Sequence, residues 1–351
     1  MASNTIWRLS GKHYEAAPDE GRGHGAGCRD AGGVSRAVVS RAFSDSGSIS
    51  PDAKARVLAA ARELGYQVNF LAQGLNRQRS QLIGVMVARI GDPFRSALLE
   101  ALIKAISQRG YQALVTEIAG EAELEVTLRR FMQYRVSGVV VTSGQPPEAI
   151  IDDCVRHQIP VVGINRPATH ARVDTVCSDN AQGAALAAAQ LCDAGCRRFG
   201  WLNYPHSTWA GVERGAAFLA ALVARGVSEA HTTLVNAPEE GYQGGLAAAG
   251  SAHASLDGIF CANAQLACGF LDGMRRRGKN APHDFHLIGF DNTPQTAYDA
   301  YQLTTLHQDV AALAARALDC LADRARQPHA PARIEWVPVT LVHRQTSPRR
   351  I

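Results

Sequence analysis

Residues 34–43, read as Val-Ser-Arg-Ala-Val-Val-Ser-Arg-Ala-Phe, place a capping hydroxyl, an apolar stripe and a cationic stripe on one short segment. The Ser35 hydroxyl can bond a free N–H of a first helical turn. At helical spacing Val38, Val39 and Ala42 fall on one side, and Arg36, Ala37 and Arg41 on the other. Such a helix can bury its apolar side and lay its cationic side against base edges and phosphates. The plainer alternative is a solvated face, with both guanidinium groups simply in water. Charge placement bears on the choice. Residues 1–80 hold 11 Lys+Arg and 7 Asp+Glu, whereas the remaining residues hold 25 of each. All the excess positive charge therefore lies where a phosphate-binding module needs it.

The elements that must position this segment can be read from punctuation. Gly32-Gly33 supplies a turn before it. After it, Ser50 and Pro51 form a favoured helix start, and Gly65 a favoured stop. Residues 82–344 then alternate short apolar runs with amphipathic stretches. Strands are predicted at 82–88, 113–116, 138–142, 160–164, 198–203, 258–261 and 286–289. Helices are predicted at 94–109, 121–135, 147–157, 179–195, 210–225, 239–250 and 263–277, several of them ended by Gly110, Gly195, Gly226 or Gly278. This alternation predicts an α/β fold with parallel sheets, built as two doubly wound lobes with a ligand crevice at the strand carboxyl ends.

Several functions are disfavoured by the same residues. The eight cysteines form no Cys-x-x-Cys pair, and neither Cys192 with Cys196 nor His24 with Cys28 has a second ligand pair, so free thiols and no metal site are expected. The glycines at 21, 23, 25 and 27 do not make a dinucleotide loop, because Ala26 and Cys28 break the pattern and no strand precedes it. No Gly-x-Ser-x-Gly elbow is present, which leaves an oxidoreductase or hydrolase reading without its machinery, and no cofactor is expected. No apolar run approaches a membrane span, and Met1–Ser10 lacks the apolar core of a signal peptide, so a cytoplasmic protein is expected. A periplasmic-type small-molecule binding protein without DNA-binding activity is the alternative. It would show the reverse: a signal peptide and no segment like 34–75.

Taken together these segments resemble the LacI/GalR family of bacterial regulators. The resemblance is carried by Val-Ser, a variable pair and Val-Ser-Arg at 34–41, by the Ser50-Pro51 helix through Arg56-Val57-Leu58 to Glu63-Leu64-Gly65-Tyr66, and by Asn69, Ala72 and Leu75 beyond it. It continues to about residue 344. It implies a helix-turn-helix headpiece over 32–66, a hinge helix and linker over 67–80, and a two-lobed core of the periplasmic-binding-protein type over 82–344. It implies that Ser35, Arg36, Ala37, Ser40 and Arg41 face operator DNA. It further implies that Asn69 and Leu75 belong to the hinge, with Leu75 wedged into the minor groove, although an ordinary packed leucine is the alternative. The implied partners are operator DNA, a small-molecule effector, either a sugar or a sugar-derived metabolite, and a second copy of the chain, with a tetramer also open.

Effector-binding positions carry over to Asn165, Arg214, Asn263 and Asp291, with Gln308 and Phe94 as weaker members. Asn263 and Asp291 could instead cap the following helices, and Arg214 could pair with a surface carboxylate. Trp209 is expected as a wall of the cleft. Three departures from the family pattern stand out: Val68 replaces a proline, Ala217 a glycine and Ala264 an aspartate. A fourth is larger. Residues 1–31 are irregular where the family has a bracing helix, and interior glycines disfavour one. Read one base later from the codons of His24 and Gly25, and restored at Gly32-Gly33, the stretch can encode the family's spacing. A frame-shifted start is therefore expected, with a divergent native start as the alternative.

Overall fold

Ser50 and Pro51 start a helix for the reasons their chemistry gives. The Ser50 hydroxyl accepts a bond from Ala53 N at 3.3 Å, and proline occupies the first helical position, where no N–H is needed. The computed structural model describes residues 35–42, 49–64, 80–142, 146–167, 170–205, 207–250 and 255–349, except for the side chains of Arg36, Ala37, Ser40 and Glu121. The chain divides into two compact units, residues 1–76 and 77–351.

In the first unit, α1 (Arg36–Ala42) and α2 (Pro51–Glu63) pack together. Val39 and Ala42 meet Val57 and Ala61, with Val38 and Ile49 at the rim. This is the apolar stripe expected from spacing. Ser35 caps α1, its hydroxyl 3.4 Å from Val38 N, and Arg41 is exposed. Arg36, Ala37 and Ser40 lie on the same helix. Asn69, Leu75, Val68 and the frame-shifted reading of residues 1–31 lie outside the described residues.

The second unit holds two sheets of six strands. The first contains β1 (Leu82–Val87), β2 (Gln112–Glu117), β3 (Gly138–Val141), β4 (Val161–Ile164), β5 (Asp174–Ser178) and β11 (Ile334–Val337), in the order β11-β5-β4-β3-β1-β2. All its pairings are parallel. The second contains β6 (Phe199–Asn203), β7 (Thr232–Asn236), β8 (Gly258–Cys261), β9 (His286–Asp291), β10 (Thr304–Gln308) and β12 (Val339–Val342), in the order β12-β10-β9-β8-β6-β7. Only β12 runs antiparallel to its neighbour. The intervening helices are α3 (Pro93–Gln108), α4 (Glu121–Gln133), α5 (Glu148–Arg156), α6 (Asn180–Asp193), α7 (Trp209–Ala224), α8 (Gly241–Ala248), α9 (Ala264–Arg275) and α10 (Val310–Arg326). Gly110, Gly195, Gly226 and Gly278, the expected helix stops, all take left-handed φ between 76° and 92°, where a Cβ would be strained.

The chain crosses between lobes three times: between β5 and α6, between β10 and α10, and at Pro338 between β11 and β12. These crossings depend on elements that the apolar pattern did not reveal. Strands β5, β7, β10, β11 and β12 were not expected, and neither was α10. Strands β5 and β10 are polar in sequence yet buried, because polar groups of both, Asp174 and Thr304 among them, find partners far along the chain. Asp174 of β5 is held by Arg324 of α10 through bonds of 2.5 and 3.2 Å. Thr304 of β10 donates to Arg344 O and accepts from Ser347 N, at 3.0 and 3.1 Å. Buried Thr346 and Ser347 carry the core past residue 344. Among the described residues seven cysteines are free, six of them buried.

Candidate functional site

A cavity of about 430 Å³ opens between the lobes. It lies at the carboxyl ends of both sheets, where an α/β fold leaves backbone ends and loop side chains unshielded. Phe94, Asn165, Arg214, Asn263, Asp291 and Gln308, scattered over more than 200 residues of sequence, all line it.

The second lobe's wall is built on aromatic packing. Trp201, Phe218, Phe260 and Phe290 form a chain of tilted rings with centroids 5.1–6.4 Å apart. Helix α7 reaches this cluster closely because it carries glycine at 215, where a Cβ would sit 2.5 Å from the Trp201 indole nitrogen. The neighbouring Arg214 is thereby turned inward. Its guanidinium lies over Phe290, 3.5 Å from the ring centroid. Its Nε donates to Asn180 Oδ1 at 2.8 Å and its Nη1 to Ala262 O at 2.7 Å. Asp291 Oδ1 stands 3.8 Å away. The expected alternative for Arg214, a surface ion pair, does not hold, since the side chain is buried.

Burial drives the protonation of this pair. It pushes the Asp291 carboxyl up to about 6 and lowers the Arg214 guanidinium to about 10; each partner's charge works against its neighbour's shift without cancelling it. Asp291 is further fixed by Gln308 Nε2, which donates at 2.7 Å, and by Ala264 N at 3.4 Å. Its backbone φ of 86° is left-handed, followed by 52° at Asn292, a conformation that aspartate and asparagine tolerate better than most residues. Asn263 does cap α9, its Oδ1 accepting from Leu266 N at 2.9 Å, and it also lines the cavity. Capping and cavity lining are therefore compatible here.

The crossings are tied to the cavity by one amide. Gln308 Oε1 accepts from Ser178 Oγ at 2.6 Å and from Asn165 Nδ2 at 3.2 Å, while Asn165 Oδ1 accepts from Ser178 N at 2.8 Å. Gln308 thus joins the end of β5 in one lobe to Asp291 in the other. Asn165 takes a φ of 51°, which turns the chain sharply after β4 and points its amide to this junction.

The first lobe's wall is different. Asp92 caps α3 by accepting from Arg95 N at 3.0 Å, and Pro93 follows it. That start places Phe94 and Arg95 on the cavity. Arg89, after β1, forms an ion pair across the cleft with Glu240, the residue preceding α8. Sequence reasoning did not single out Arg89, Asp92, Arg95, Tyr204, Glu240 or Gln265, all of which line the cavity. The signal for Arg95 was its place beside Phe94 at a helix start. Trp209, expected on the wall, is not among the lining residues, although its neighbours Thr208 and Ala210 are. Among the described residues no helix is long and apolar enough to cross a membrane.

Known proteins share this arrangement. Residues 30–69 match the family of bacterial regulatory proteins, lacI family, and residues 188–347 match a periplasmic binding protein-like domain. The HTH-type transcriptional regulator GalS of Salmonella typhimurium is 31% identical over 286 residues, covering 80% of this chain and 84% of that relative. The ribose operon repressor of Bacillus subtilis is 29% identical over 324 residues, covering 90% and 96%. A crystal structure of the lac repressor dimer bound to operator and the anti-inducer ONPF superposes with a TM-score of 0.77 at 21% identity, covering 92% of this chain and 98% of that one. The headpiece, the two-lobed core and the extent of this identity make one conclusion: the chain belongs to the lacI family of bacterial regulatory proteins and is a DNA-binding transcriptional regulator with an effector-responsive core.

Proposed function

We propose that this protein represses transcription in the cytoplasm as a dimer, and that a small polyhydroxylated metabolite in the interlobe cavity sets its operator affinity. The observation that carries the proposal is the Gln308 junction. One buried side chain bonds both the cavity carboxylate of Asp291 and the crossing at Ser178. A ligand that displaces or reinforces the Asp291 bond therefore acts directly on the strands about which the lobes turn. The sugar class is favoured by the ribose operon repressor among its relatives. It is favoured too by the mixture of amides, a carboxylate and a buried guanidinium on the wall, which suits hydroxyl groups.

In this reading Ser35, Arg36, Ala37, Ser40 and Arg41 meet the operator, and Asn69 and Leu75 form the hinge that a second copy completes. Arg214, Asp291 and Asn263 hold effector from the second lobe; Phe94 and Asn165 close on it from the first. Effector changes the relative population of two lobe arrangements. Operator affinity then shifts by the differential affinity of effector for them, of order 1–3 kcal/mol.

The test is fluorescence anisotropy of labelled DNA from upstream of the protein's own gene. It is run with the full chain and with a chain whose codons 24–33 are restored to the shifted frame. A regulator binds with a slope of log K against log salt near −0.9 per phosphate neutralised. Binding by neither chain overturns the operator role. Binding by the restored chain alone assigns the defect to the bracing helix.

A further inference from the structure

Three arginines line the cavity, and two of them are matched. Arg214 is stacked on Phe290 and faces Asp291, and Arg89 is paired with Glu240. Arg95 is not matched. Its side chain is half-buried on the first lobe's wall, and among the described residues the one bond its guanidinium makes is from Nη1 to Ala88 O at 3.0 Å. Among the described residues it forms no ion pair. Burial lowers its pKa and Arg89 adds to the effect, while Asp92, Tyr204 and Asp291 oppose it from a distance without reversing it.

Among the described residues the cavity's own carboxylates make no ion pair with it. Asp291 Oδ1 accepts from Gln308 and Oδ2 from Ala264 N, each oxygen keeping a lone pair for a hydroxyl, and neither is bonded to Arg95. Asp92 Oδ1 is committed to the α3 cap, and Glu240 to Arg89. Several N–H donors of Arg95 thus face the cavity unspent. A neutral sugar there would displace their water and return only neutral acceptors, whereas an anionic group returns charge-assisted, two-pronged bonds.

We propose that the effector is a small polyhydroxylated anion, with its negative group on Arg95 and its hydroxyls on Arg214, Asp291 and Asn263. This rests on the reading of the cavity as the effector site. The negative group is a carboxylate or a phosphate ester. The guanidinium fork fits both, so the experiment separates them. The orientation follows from the two walls: the second lobe offers a donor-acceptor mixture for hydroxyls, and the first offers a cation with no ion-pair partner among the described residues.

The test is isothermal titration of the full chain with three matched series: aldoses, their aldonic acids and their phosphate esters. The readout is the affinity ratio of each anion to its parent aldose. In the wild type at least one anion binds tenfold or more tightly than its parent, and the series in which it falls names the group. In Arg95→Gln that ratio collapses toward one, and in Arg95→Lys it is partly restored. Thermal denaturation of each variant checks that the fold is intact. Aldoses that bind more tightly than every anion overturn the proposal, as does a ratio unmoved by Arg95→Gln, or silence of every anion. The cavity itself is tested by Arg214→Met. If an aldose binds and this variant abolishes it, the cavity reading stands without the anionic class. If binding survives Arg214→Met, the cavity reading falls as well.

Discussion

The two lobes share a strand order, differing in the direction of one edge strand, yet their walls on the cavity are made differently. In the second lobe Arg214, Asn180, Asp291 and Gln308 bond to one another, and Phe290 backs the guanidinium. That wall is organised before any ligand arrives. In the first lobe the buried Arg324 grips Asp174 away from the cavity, while Arg95 is left largely unspent on it. One lobe therefore holds a fixed template and the other an uncommitted cation. A lobe with its polar groups already paired loses little on binding, so the ligand's effect falls on the looser partner and on the crossings between them.

Breaking the template gives the largest expected effect. Arg214→Met leaves Asp291 and Asn180 buried without their partner and is expected to destabilise the core by about 3–5 kcal/mol in urea denaturation, with effector binding lost. Arg324→Met removes a buried pair from the other lobe and costs a similar amount by the same mechanism, but leaves the ranking of effectors unchanged. If Arg324→Met reorders effectors, the pair it breaks acts on the cavity from a distance.

The next effect separates the walls by pH. Burial raises the Asp291 carboxyl from 3.8 to about 6, so the folded chain holds this proton where the unfolded chain has released it. The contribution is fully present below about pH 4 and is lost as pH rises to about 6, a change of about 3 kcal/mol. The stability difference between wild type and Asp291→Asn should therefore decline through that window and level off above it. A flat difference would mean that Arg214 compensates Asp291 fully, and that the template carries no strain.

Gln308→Leu cuts the tie between crossings and cavity. It strands Ser178 Oγ and the Asp291 oxygen, at a cost of about 1–3 kcal/mol. Effector should still bind, but the change it produces in DNA affinity should shrink. Full retention of that response would remove the crossings from the mechanism. The smallest effect is expected for Glu240→Gln. The pair it breaks with Arg89 is 47% and 37% exposed, so the stability change should stay within about 1 kcal/mol and vanish at high salt.

How much of this could be read beforehand follows from where each signal lives. The α1 stripe of Val39 and Ala42, the Ser35 and Ser50 caps and the glycine stops are local, and each behaves as its neighbours in sequence require. The six positions that motif resemblance assigned to an effector line one cavity. Strand β5 was not legible, because Asp174-Thr175-Val176-Cys177-Ser178 reads as a polar loop until Arg324, 150 residues later, neutralises its first member. Arg95 was legible as a residue but not as an unpaired one.

The sequence alone thus determined the class of protein, the apolar periodicities, most helix positions and six of the wall residues, because those depend on short-range chemistry and on recurring motifs. The tertiary structure decided which polar groups are spent and which are free. Whether Arg214 is stacked and paired, Gln308 bridges two lobes and Arg95 lacks a carboxylate depends on groups far apart in the chain meeting at one cavity, and burial there sets their charge.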